Sequence, residues 1–90
     1  MEKNFHKMER VVKGFANHRR IEMLHLLKKD PELSVDEVAT ALEINFKTAS
    51  EHIRRLAIAG LVLKRSAGNE VRHKLTLRAE SILKFLRILE

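Results

Sequence analysis

The sequence predicts a mainly α-helical domain with one small β-hairpin, and three observations on its 90 residues carry that expectation. Two helix-length segments, 35–42 and 46–59, are separated by only Glu43, Ile44 and Asn45. Directly after them, Leu61 to Ser66 and Val71 to Leu77 read as two strands around the turn Ala67-Gly68-Asn69-Glu70. Apolar-rich segments at the two ends read as flanking helices. A tightly connected helix pair followed by a basic hairpin is a helix-turn-helix with a wing. The expected fold is therefore a single winged helix-turn-helix domain over 1–90, with the hairpin between the fourth and fifth helices.

Each element has a local reason. Phe5, Met8, Val11, Val12 and Phe15 repeat at helical spacing, which predicts a first helix over 3–14, closed near Gly14. Asn17 can cap a second helix from His18 to Lys29, with Ile21, Met23, Leu24 and Leu27 inward and Asp30-Pro31 as its stop. Ser34 and Glu37 fit a reciprocal capping box at the start of the third helix, Val35 to Leu42. Ile44 is expected to plug the space before the fourth helix, which Asn45 caps and Gly60 ends. Ile53, Leu56 and Ala57 form its inner face. On the returning strand Val71, His73, Leu75 and Leu77 share one face, and Arg72, Lys74 and Thr76 the other. The last helix, 79–89, carries Ile82, Leu83, Phe85, Leu86 and Leu89.

Charge placement points to a partner. The formal net charge is +6. Residues 45–78 hold eight basic side chains against Glu51 and Glu70, whereas the rest of the chain holds ten of each sign. The whole excess thus falls on the fourth helix and the hairpin, as a polyanion-binding surface requires. The reading that follows is a sequence-specific, double-stranded-DNA-binding transcriptional regulator, acting as a dimeric repressor. Helix 46–59 would enter the major groove and the 64–74 wing would hold phosphates.

Individual roles follow from reach and chemistry. Lys47 could donate to guanine, Glu51 could accept from cytosine, and Thr48 and Ser50 suit a base or a phosphate. Ordinary helix-start chemistry for the hydroxyls, and pairing of Glu51 with Arg54 or Arg55, are the plainer alternatives. Phe46 is either a contact to a thymine methyl or, by preference, a staple onto the preceding helix. Arg54 and Arg55 lie further along, where phosphates are closer. Lys64, Arg65, Arg72 and Lys74 flank the wing turn and Asn69 stands near its tip, in reach of the backbone. Arg19 and Arg20 could add backbone contacts, with an internal ion pair as the alternative for Arg20.

Other classes are disfavoured. With no Cys there is neither a disulfide nor a thiolate metal site. His18 and His25 are seven residues apart, and His6, His52 and His73 fall on separate elements, so no metal and no cofactor is expected. Gly14, Gly60 and Gly68 are isolated and no nucleophile motif occurs, which argues against an enzyme. The absence of Tyr and Trp removes an aromatic platform for single strands. A charged N-terminus and the lack of a long apolar run predict a cytoplasmic protein without membrane partners. The terminal helices, 3–14 and 79–89, are apolar enough to predict a homodimer packed through both. Two alternative readings remain: a winged-helix module that binds a protein, and a metal-responsive repressor with an atypical His/carboxylate site.

Phe15-Ala16-Asn17-His18-Arg19-Arg20-Ile21 resembles the entry into the second helix of ArsR-type winged-helix repressors. Lys47-Thr48-Ala49-Ser50-Glu51-His52-Ile53, then Leu56 and Ala59-Gly60-Leu61-Val62, resemble their recognition helix and its junction with the wing. The similarity runs from about residue 5 to 89. It implies a dimeric cytoplasmic regulator that occupies an operator and, in many relatives, responds to a metal or other effector. The family's metal sensors carry Cys-Val-Cys where this chain has Ser34-Val35-Asp36, and others use Asp and His on the last helix, where 79–90 have neither. The resemblance therefore implies DNA binding and leaves the effector unknown.

Overall fold

Every helix starts at a side chain that takes up one of its unbonded amides, and those caps divide the chain into its elements. In the computed structural model, which describes residues 2–90, the order is α1 (Phe5–Phe15), α2 (His18–Lys29), α3 (Val35–Leu42), α4 (Phe46–Ile58), β1 (Val62–Ala67), β2 (Glu70–Leu75) and α5 (Leu77–Ile88). Asn4 accepts from the Lys7 amide at 3.0 Å, and Asn17 from the Arg19 and Arg20 amides at 3.0 and 3.2 Å. Ser34 and Glu37 complete the expected box: the Glu37 amide donates to the Ser34 hydroxyl at 3.2 Å, and the Ser34 amide to the Glu37 carboxylate at 2.9 Å. Asn45 accepts from the Thr48 amide at 2.7 Å.

The ends of α3 and α4 share one device. After α3 the backbone turns left-handed at Glu43 (φ 56°), and the Ile44 amide reaches back to the Ala39 carbonyl at 3.0 Å. After α4 it turns at Gly60 (φ 75°), and the Leu61 amide reaches the Leu56 carbonyl at 2.9 Å. Both are six-to-one closures that reverse the chain within a residue or two. The first sets α4 against α3. The second delivers Leu61 and Val62 into the core, where both are buried.

β1 and β2 pair antiparallel from Val62↔Leu75 to Ala67↔Glu70, leaving Gly68 and Asn69 as a two-residue turn. Gly68 has φ 65°, a value favoured by Gly at the first position of such hairpin loops. The other edge of β2 is covered as well: the Glu32 amide donates to the His73 carbonyl at 2.9 Å, and the His73 amide to Leu33 at 3.0 Å. His73 is buried, with Nδ1 2.8 Å from the Leu33 carbonyl oxygen.

The core is the meeting of Phe15, Met23, Leu24, Leu27, Val38, Ala49, Ile53, Leu56 and Leu61. Each large side chain fully buried there contributes about 1.5–3 kcal/mol. Several predicted boundaries move. The first helix ends at Phe15 instead of 14, and α4 ends at Ile58 with Ala59 as its cap. The second strand stops at Leu75, since the Thr76 hydroxyl accepts from the Ala79 amide and starts α5 two residues before 79. Leu77 accordingly lies in a helix and is 87% exposed, not on the inner face of a strand. No helix among the described residues is long and apolar enough to cross a membrane.

Candidate nucleic-acid interface

Burial of Ala49, Ile53 and Leu56 fixes which side of α4 faces out. Lys47, Thr48, Glu51, Arg54 and Arg55 are exposed and Ser50 is half-buried. Lys47 has no ion-pair partner among the described residues. Glu51 is engaged: Arg54 donates to it through Nε and Nη2 at 3.0 and 2.8 Å, and Arg55 through Nε at 3.1 Å. Those bonds, Arg54 first, hold its carboxyl down at about 2. The pairing weighed from sequence is therefore present. Phe46 departs from the expected staple, because it is 56% exposed while Ile44, just before the cap, packs against the core.

The four wing cations fall into two pairs. Arg65 and Arg72 stand directly opposite each other on β1 and β2, and both are tied to the α2–α3 connection. Arg65 Nε donates to the Glu32 carboxylate at 2.7 Å. Arg72 donates to the Glu32 carbonyl at 3.0 Å and to the Glu70 carboxylate at 2.6 Å. Lys64 and Lys74 are exposed and free of ion pairs among the described residues, and Asn69 is exposed at the turn. Within the basic segment 45–78, the exposed cations without an internal partner among the described residues are thus Lys47 on α4 and the two wing lysines.

Two supporting contacts carry no sequence signal of their own. The Thr76 hydroxyl donates to the Gly60 carbonyl at 2.7 Å, and Arg78 Nη1 to the Ala59 carbonyl at 3.0 Å. The last open carbonyls of α4 are satisfied by the start of α5. Arg78 is thereby a helix-end bond, although it belongs to the basic excess counted from sequence. Arg19 pairs with Glu22 at 3.0 Å, whereas among the described residues Arg20 forms no ion pair and its buried Nε has no partner. Burial, then the neighbouring Arg55, push the Arg20 pKa down. Among the described residues no three His, Asp or Glu side chains converge on a metal-sized space.

Against known proteins, the pattern described as "Bacterial regulatory protein, arsR family" matches residues 17–64, from the cap of α2 into β1 and more than half of the chain. This chain belongs to the arsR family. The arsR-family chain is 38% identical over 76 residues to the transcriptional activator HlyU of Vibrio cholerae serotype O1, covering 84% of this chain and 69% of that one. A solved structure of HlyU superposes with a TM-score of 0.82 at 33% identity, covering 99% of this chain and 97% of that one. The HTH-type transcriptional regulator Rv0324 of Mycobacterium tuberculosis is 40% identical over 62 residues, 69% of this chain and 27% of that protein. The winged helix-turn-helix DNA-binding domain of Mycobacterium bovis Mb0332, described as homodimeric, superposes with a TM-score of 0.85 at 29% identity, covering 94% of this chain and 79% of that one. The arsR-family chain is accordingly a winged helix-turn-helix regulator and not an enzyme.

Proposed function

We propose that this arsR-family chain binds double-stranded DNA as a homodimer, reading the major groove with α4 and holding phosphates with the wing. The observation that carries the reading is the placement of the unpaired lysines, Lys47 at the start of α4 and Lys64 and Lys74 on the hairpin, on exposed positions of the basic segment. Thr48 and Ser50 lie beside Lys47 in the first turns of the helix, where side chains reach base edges. Glu51 serves to hold Arg54 and Arg55 along the helix, and these approach the phosphates. Asn69 accompanies them at the wing tip, and Arg65 and Arg72 contribute charge from a fixed wing.

The dimer is supported by apolar side chains that the core leaves uncovered. Phe5, Met8 and Val12 on α1 and Phe85, Ile88 and Leu89 at the end of α5 are all at least about half exposed. Pairing α1 and α5 with those of a second copy would bury both sets, and a two-fold reader meets two half-sites about one helical turn (~34–36 Å) apart. Occlusion of a promoter needs nothing beyond occupancy, so repression is the mode proposed, in the cytoplasm. Fluorescence anisotropy on random-sequence duplex across a salt series tests the reading. A two-chain species whose log affinity falls steeply and linearly with log salt is expected. No binding at low salt would overturn it.

A further inference from the structure

α1 and α4 cross at Gly14, where an added Cβ would come within 2.4 Å of the Ala59 Cβ. Beside this crossing opens a cleft of about 740 Å³, walled by α1, the start of α2, α4 and the start of α5. Its character is cationic. Lys7 and Arg10 from α1 and Arg20 from α2 line it without ion-pair partners among the described residues. Lys13, Arg55 and Arg78 line it too, bonded to Glu9, Glu51 and the Ala59 carbonyl respectively. The one carboxylate in the wall, Glu51, already accepts from Arg54 and Arg55.

Two nitrogens in this wall, Arg20 Nε and His52 Nδ1, are buried with no hydrogen-bond partner. A buried polar atom left unbonded is costly, and clustered like charges add to the cost. Burial and Arg20 push the His52 pKa down, as burial and Arg55 do for Arg20. Val11, Ile58 and Ala59 add apolar lining. Such a lining matches the charge and hydrogen-bonding capacity of a compact ligand with several negative oxygens.

We infer that the cleft between α1 and α4 binds a small multivalent oxyanion, of the phosphate-ester or polycarboxylate class, and that its occupancy acts on α4. The unpaired cations supply charge-assisted bonds. Arg55 is the link: it faces the cleft and also holds Glu51, so an oxyanion competes for the guanidinium and changes the outer side of α4. The site is compatible with a dimer through α1. At about 100° per residue, Phe5, Met8 and Val12 lie on the opposite side of that helix from Lys7, Arg10 and Gly14. The action on α4 rests on the DNA-binding reading; the binding itself does not.

The probe is inorganic pyrophosphate, titrated into the full chain at constant ionic strength without DNA. A saturable rise in melting temperature is expected, together with a shift of the His52 ring nitrogens in NMR that His25 does not share. Arg20→Gln should weaken binding at least tenfold. Arg10→Gln, on an exposed position, should weaken it several-fold with the fold intact. A rise reproduced by potassium chloride alone, or equal affinity in both variants, would overturn the site. If Arg10→Gln leaves pyrophosphate binding unchanged but flattens the salt dependence on duplex DNA, these cations serve the DNA backbone and the small-ligand assignment falls. With a working duplex assay, saturating pyrophosphate should lower affinity several-fold, and no change would overturn its action on α4.

Discussion

Arg65 on β1 donates to the carboxylate of Glu32, 33 residues earlier, and so fastens the wing to the connection between α2 and α3. Glu32 also offers its carbonyl to Arg72, and its own backbone is left-handed at φ 70°. A half-exposed pair of this kind contributes about 0.2–1 kcal/mol. Its larger effect is on charge, since it neutralises a wing cation.

Glu32→Gln should therefore lower stability by less than about 1 kcal/mol while releasing Arg65. On random duplex DNA the variant should bind more tightly, with a salt slope steeper by about one. Anisotropy titrations of both proteins check this. An unchanged slope would mean that Arg65 is not within reach of the backbone.

On the proposed reading, Lys47 reads a base edge and Lys74 holds a phosphate. Lys47→Ala should cost about 1–3 kcal/mol on a selected operator and relax preference at one base pair. Lys74→Ala should weaken all sequences alike and flatten the salt slope by about one. Parallel titrations on operator and scrambled duplexes separate the two. Identical behaviour of the two variants would remove the division.

Glu43 holds a left-handed backbone at the turn between α3 and α4, with φ 56°. An L side chain pays roughly 1–2 kcal/mol there, offset in part by the roughly 0.5–1 kcal/mol of extra entropy that Gly loses on folding. Glu43→Gly should thus stabilise the domain by about 0.5–1 kcal/mol, which raises the melting temperature by several degrees at this size. Thermal unfolding followed by circular dichroism measures it. A fall in melting temperature would show that the Glu43 side chain contributes more than its backbone costs.

His52 gives the domain an acid sensitivity of definite sign. Its folded pKa lies below the ordinary 6.5 because of burial first and Arg20 second. Between the folded and unfolded values the unfolded chain binds more protons, so stability falls as pH drops through 6.5 and levels off below the folded value. His52→Gln should remove that part of the pH dependence. Denaturant unfolding of both proteins from pH 7.5 to 5 reads it directly. Parallel curves would exclude His52 as the source.

What was legible in the sequence was local. Asn17, Ser34, Asn45 and Gly60 each declare a helix end through their own chemistry, and the structure places ends at all four. Leu77 misled because an apolar residue at the first position of a helix extends the two-residue alternation of Val71, His73 and Leu75 by one further step. The turn at Glu43 gave no warning either, since its side chain does not favour a left-handed backbone. The bonds from Arg65 and Arg72 to Glu32 span 33 and 40 residues, and no periodicity relates such positions. The charge count marks 45–78 as the basic segment. Which of its members are free required knowing where the acidic groups fold back.

The carbonyls of Ala59 and Gly60, held by Arg78 and Thr76, couple the end of α4 directly to the start of the last helix. Two copies joined through that last helix would present their reading helices at a separation that side-chain bonds resist changing. Such a pair would act as a caliper. Adding one base pair between operator half-sites moves one of them by about 3.4 Å and turns it by roughly 35°, and a caliper braced at this joint would resist following.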